Sequence, residues 1–256
     1  MNYIPIPPFL GYRHIDQLSP ASVIAYLNRR MLFQFHWQMK GKETQAEEIF
    51  HRLLQESRKL NNLQLQASYG YFPCQSEGDS LLIYTDSEAR EIFTEFQFPR
   101  QSSGKKLCLA DYFQSKNSGV LDVVAFQLVT IGQAASDFEK KLHEENRYQD
   151  YLFWHGFHAS MAEAFAEFIH SRIRVELGFA KEEPADPREM IKQHYHGARY
   201  SLGYPSCPNL SDQSKVLKLL HGHDIGVDMS ESFQFWPEHS TSAMVVHHAD
   251  AEYFLM

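Results

Sequence analysis

The chain has 256 residues, enough for one large domain or two small ones with a substantial core. A formal net charge of −8 opposes contact with nucleic-acid phosphates and anionic lipid, so neither partner is expected. No apolar run approaches the roughly 20 residues that span a bilayer, so no membrane partner is expected on that ground either. The opening MNYIPIPPFLGYRH lacks the charged start and apolar centre of a signal peptide. Cys74, Cys108 and Cys207 are too few and too dispersed for a disulfide framework or a zinc CxxC pair. Together these place the protein in a reducing compartment, the cytoplasm.

In chain order, the prolines of IPIPPFLG disfavour helix and read as an extended linker, so residues 1–18 form a leading segment and 19–256 the domain proper. Ser19-Pro20 supplies an N-cap and a first-turn proline for a helix through ASVIAYLNRR. MLFQFHWQM fits helix or strand. Residues 44–62 form a helix, with Ile49, Phe50, Leu53, Leu54 and Leu60 at helical spacing. LQLQASYGYFPC and SLLIYTD, parted by QSEGD, read as an antiparallel pair; TEFQFP adds a strand, and GVLDVVAFQLVTIG a buried one.

From Ser136 to about Gly178 the chain is mostly helical. Met161, Ala162, Phe165, Ala166, Ile169 and Ile173 form one stripe, and Glu163, Glu167, His170 and Arg174 another. AKEEPADPREM is a proline-broken charged loop, followed by a short helix ending near Tyr195. QSKVLKLLHG is a further helix, and TSAMVVHH and AEYFLM are two final strands. Strands and helices do not alternate, so the expected class is α+β with an antiparallel sheet and not a doubly wound parallel one.

Several chemistries are excluded or disfavoured by pattern. No GxSxG elbow, GxxxxGK[ST] or GxGxxG occurs, so a ligand of nucleotide type would be a nucleoside without phosphates. His155, His158 and Glu163 in WHGFHASMAE could converge on a metal, but HExxH is absent. A polar face or a helix cap explains these histidines better, and no metal is expected. Within GARYSLGYPSCP, glycine and proline impose a shaped loop around Arg199. A guanidinium there could take a carboxylate through two hydrogen bonds, exposed peptide groups could take a base edge, and Tyr204 could take a cation on its ring face. S-adenosylmethionine carries all three groups. A surface arginine before a loop is the alternative, as a solvated face is for the Glu163 stripe.

The segment GARYSLGYPSCPNLSDQSKVLKLL resembles the RxxxGYPxCPDH stretch of the C-terminal activation domain of cobalamin-dependent methionine synthases. GVDMSESFQFWPEHSTSAMVVHHADAEYF resembles that domain's LTESxAMxPxxSxSGxYxxHPxxxYF ending, and MAEAFAEFIHSRIR its AEAxAExxHxxxR helix. YGYFPC, LCLADYF and VVAFQLVT are similar to its strand motifs, and IPPFLGYR to its linker, so the resemblance covers nearly the whole chain.

The resemblance implies a single C-shaped α+β domain, helices around a twisted antiparallel sheet. It implies binding of S-adenosylmethionine and support for the reductive methylation of cob(II)alamin. The cobalamin is held by the cobalamin-binding domain of methionine synthase, and the electron comes from a flavodoxin-like donor. It further implies that Arg199 meets the ligand carboxylate, Glu163 its ammonium, and that Ser201, Gly203, Tyr204 and Tyr253 match site positions. Phe254 stands where some members have a second tyrosine, and Asn28 where an aspartate is usual. The DxHxxG cobalamin signature and the zinc cysteines of the homocysteine site are absent, so this chain alone is not expected to make methionine. It is expected to be either a fragment or a separate activation subunit. Two other readings stand beside this one: a sensor that binds S-adenosylmethionine without methyl transfer, and a small-molecule methyltransferase with its own acceptor.

Overall fold

Alternation along the central strands divides the core in two. Nine consecutive residues of β5 (Asp122–Thr130) are buried. Val123, Ala125 and Val129 join one apolar cluster, and Val124, Phe126 and Leu128 the other. A strand covered on both faces has no solvent side to write polar residues on, which is why its sequence is a continuous apolar run.

The computed structural model describes residues 4–180, 183, 186–190 and 195–255. Around β5 the strands are β1 (Gly11–Leu18), β2 (Leu65–Glu77), β3 (Ser80–Tyr84), β4 (Ile92–Gln97), β6 (Ala198–Tyr200) and β9 (Ser240–Val246). They form a seven-stranded sheet in the order β4-β3-β2-β5-β9-β6, with β1 also on β2, and every pairing is antiparallel. β7 (Asp228–Met229) and β8 (Phe235–Trp236) make a separate two-stranded ribbon.

One face of the sheet carries the helices α2 (Glu43–Leu60), α3 (Gln133–Glu144) and α4 (Tyr148–Glu176). At 29 residues α4 is about 44 Å long, and Phe157, Met161, Phe165, Ile169 and Ile173 bury its inner stripe completely. Each such side chain contributes roughly 1.5–3 kcal/mol on burial. The other face is covered by α6 (Gln213–Leu219) and by the turns around Leu109 and Ile225. The short helix α1 (Pro20–Val23) joins the helical face through the buried Val23 and touches α4, and α5 (Pro187–Met190) rests against residues 24–26.

Four local expectations are corrected. The helix from Ser19 does not run to Arg30. Ser19 Oγ accepts from Ala21 N and α1 starts at Pro20, but Leu27 is extended and Asn28 Oδ1 accepts from Met31 N at 3.1 Å. An asparagine that caps a new turn ends the old one. Met31–His36 then forms a short π-helix. Residues 251–255 form no strand. Their carbonyls are taken by side chains instead: Tyr200 Oη donates to Glu252, Ser206 Oγ to Phe254 and Gln101 Nε2 to Leu255. GYRHIDQL, unread as a strand, pairs with β2 as β1. His170 and Arg174, assigned to a polar face of α4, are fully buried. Of AKEEPADPREM, expected as a loop, Pro187–Met190 is helical and residues 181, 182, 184 and 185 lie outside the described residues, as do residues 191–194 of the helix expected to end near Tyr195. Among the described residues, no helix is long and apolar enough to cross a membrane.

Candidate functional site

Arg199 sits on β6, a three-residue edge strand paired with β9 and not a loop. Ala198 and Tyr200, its neighbours, pack into the cluster away from the long helices. Alternation therefore turns Arg199 to the opposite face, toward α4. There Glu163 and Glu167, one helical turn apart, meet a single guanidinium. Arg199 Nη2 donates to Glu167 Oε1 at 2.9 Å and lies 3.5 Å from Glu163 Oε2. The Arg199 side chain is mostly buried, and Glu163 is largely exposed.

Electrostatics lock this pair in its charged form. Burial disfavours the Arg199 charge, but Glu167 and Glu163 outweigh it and raise the guanidinium above its ordinary value. Burial would likewise raise the Glu167 carboxyl, yet His170 and Arg199 hold it below the usual carboxylate range. His170 Nδ1 is 3.8 Å from Glu167 Oε2, an electrostatic contact and not a hydrogen bond. Burial, aided by Arg174, pushes His170 itself down to about 4.

Arg199, Glu163 and Glu167 line a cavity of about 560 Å³ between α4, the Asn28–His36 turn and the start of β9. Of the residues expected to form a site, the structure brings Asn28, Glu163, Arg199 and Tyr204 to its wall. Ser201, Gly203, Tyr253 and Phe254 do not line it. The Ser201 carbonyl accepts from Cys207 Sγ at 3.1 Å, Gly203 N donates to Cys207 O at 2.9 Å, Tyr253 is exposed, and Phe254 is buried in the second core. Gly203 does hold the loop's shape: its φ is +90°, and a Cβ there would meet Leu210 Cδ1 at 2.8 Å. A second cavity, about 930 Å³, adjoins at Asn28 and Met31 and contains none of the other expected residues.

The sequence reading did not single out Tyr26, His36, Glu238 or His239 as lining residues. Only Glu167 left a signal, its place one turn beyond Glu163 on the polar stripe. The wall thus carries three carboxylates, Glu163, Glu167 and Glu238, against one guanidinium, Arg199. It is net anionic, with tyrosine rings at Tyr26 and Tyr204.

A family profile described as the vitamin B12 dependent methionine synthase activation domain matches residues 21–256. The chain belongs to this family of activation domains. Its similarity extends to curated methionine synthases: 37% identity over 275 residues with that of Mycobacterium tuberculosis and 38% over 278 with that of Mycobacterium leprae. In both cases the match covers 98% of this chain and 23% of the relative, so the activation domain described here spans about a quarter of those proteins. Among solved structures, the MetH reactivation domain bound to AdoHcy superimposes with a TM-score of 0.91 at 26% identity, covering 98% of this chain and 83% of that one. The activation domain's α+β architecture, helices against an antiparallel sheet, is the one this likeness shares.

Proposed function

We propose that the Arg199 cavity binds S-adenosylmethionine and that the domain thereby supports reductive methylation of cob(II)alamin in a methionine synthase. The observation that carries this is the wall's charge balance. S-adenosylmethionine is a zwitterion with an additional sulfonium charge, and a pocket with one guanidinium, three carboxylates and two tyrosine rings complements that pattern. The volume falls in the range of roughly 300–1,000 Å³ typical of small-molecule sites. The solved relative's bound AdoHcy supports the same ligand class.

In this reading Arg199 receives the ligand carboxylate, exchanging its contact with Glu163 for it. Glu163 is released toward the ammonium, while Glu167 keeps Arg199 in place. Tyr204 offers its exposed ring, and Asn28 an amide whose oxygen already caps Met31. Ser201 and Gly203 act through the backbone of the loop, and Tyr253 and Phe254 through the terminal segment tied to Ser206. When bound, S-adenosylmethionine would supply an activated methyl group. Cobalamin would be carried by a cobalamin-binding domain, and the electron by a flavodoxin-like donor. Three free, buried cysteines agree with a cytoplasmic setting.

Calorimetry with S-adenosylmethionine tests this directly. Arg199→Ala is expected to weaken binding by about 2–5 kcal/mol while the far-UV spectrum is retained, because the ligand carboxylate then faces two carboxylates with no cation. Unchanged affinity in that variant defeats the assignment.

A further inference from the structure

Next to the cavity, one buried carboxylate gathers three imidazoles. Glu139 projects from α3, His155 and His158 from successive turns of α4, and His239 from the residue before β9. Glu139 Oε1 lies 2.6 Å from His158 Nδ1 and 2.8 Å from His239 Nε2, and Oε2 lies 2.9 Å from His155 Nδ1. Glu139, His158 and His239 are each under 5% exposed, and His155 is about one-third exposed. Glu238, at the cavity wall, completes a second triad with Glu139 and His155.

A buried carboxylate needs a compensating charge. Among the described residues no lysine or arginine pairs with Glu139; its ion-pair partners are these three histidines. Burial favours the neutral form of His158. Burial would also raise Glu139, but the three imidazoles hold it well below the usual carboxylate range. The cluster therefore gathers one carboxylate and three imidazoles in a single buried spot, side chains that a metal ion binds by displacing their protons. Three imidazoles and one carboxylate are also the donor set that suits zinc and its first-row neighbours rather than magnesium or calcium.

We propose that Glu139, His158 and His239, with His155 as the fourth donor at the exposed edge, form a binding site for a divalent transition metal, best zinc. The donor atoms of the buried triad already lie within 4.8 Å of one another. Zinc bonds of about 2.0–2.1 Å in a tetrahedron put donors roughly 3.3–3.4 Å apart. The carboxylate–imidazole separations would open by about half an ångström or slightly more as the metal replaces the imidazole protons, and the Glu139 carboxylate would turn so that His155, now on Oε2, reaches the ion held by His158 and His239, now on Oε1. The ion would tie α3, α4 and the start of β9 together behind the cavity. The site does not depend on what the cavity binds.

The test begins with chelator-treated protein titrated with Zn2+ by calorimetry and with Co2+ by visible absorption, without S-adenosylmethionine. The expected result is a break at one metal per chain and the absorption of four-coordinate cobalt. In imidazole NMR spectra, Zn2+ should move the ring signals of His155, His158 and His239 before those of the other histidines. His155→Asn, at the exposed edge, should weaken binding by roughly 10-fold or more while leaving the fold intact. No equimolar break, or first shifts at histidines outside the cluster, overturns the proposal. An unchanged affinity in His155→Asn removes His155 from the donor set and overturns the four-donor site.

Discussion

Arg199 is held before any ligand arrives, and its holder is Glu167. The 2.9 Å bond fixes the guanidinium, whereas the exposed Glu163 at 3.5 Å is free to move. Glu167→Gln keeps an acceptor but removes the charge that orients Arg199. It is expected to weaken S-adenosylmethionine binding by about 1–1.5 kcal/mol, less than Arg199→Ala, in calorimetry at fixed pH. His170 beneath this pair sets a pH dependence. Its folded value of about 4 lies below the ordinary 6.5, so between those pH values the unfolded chain holds the extra proton. Stability therefore rises with pH through that window and is lost as the solution is acidified from 6.5 toward 4. The loss from this group is on the order of 3 kcal/mol. His170→Gln should flatten the slope of unfolding free energy against pH measured by urea denaturation between those limits. Residue identity on the α4 stripe was legible from spacing; burial of His170 and Arg174 was not, because a polar stripe looks the same whether water or another chain segment covers it.

Gly156 decides how two elements meet at the site. Gly156 lets the Met31–His36 turn rest on α4: a Cβ there would lie 2.9 Å from His36 Cβ and 3.0 Å from Trp37 Nε1. Trp37 Nε1 also donates to the Phe153 carbonyl at 3.0 Å, so the turn cannot simply slide away. Gly156→Ala gains about 1 kcal/mol of helix propensity but incurs roughly 1–3 kcal/mol of overpacking, and His36 Cβ, being next to the backbone, cannot swing aside. Net destabilisation with weaker S-adenosylmethionine binding is expected in thermal melts and calorimetry; a more stable variant would show the contact to be soft. Nothing in a helical periodicity announces such a contact. By contrast, α2 ends within two residues of its expected place, because Asn61 adopts the left-handed conformation that closes a helix.

The molecule's two cores share their strands. β2, β5 and β9 each give alternate residues to both clusters, so neither core can melt while the other stays formed. Phe126, fully buried in the second core, tests this. Phe126→Ala is expected to cost about 3–5 kcal/mol, and the tryptophan signal from the helical face should shift together with the far-UV signal in one transition. Two separated transitions would mean the cores are independent.

The sequence by itself determined the class of fold, the main helices and strands, and the family, because apolar periodicity and short motifs are local properties of the chain. It also marked Arg199, Glu163, Asn28 and Tyr204, which the cavity brings together. Tertiary structure alone decided that Glu167 holds Arg199, that Ser201, Gly203, Tyr253 and Phe254 stand off the cavity wall, and that Glu139 meets histidines 16, 19 and 100 residues away. Those pairings depend on which faces of α3, α4, β6 and β9 oppose one another, and no local spacing encodes a distance through space.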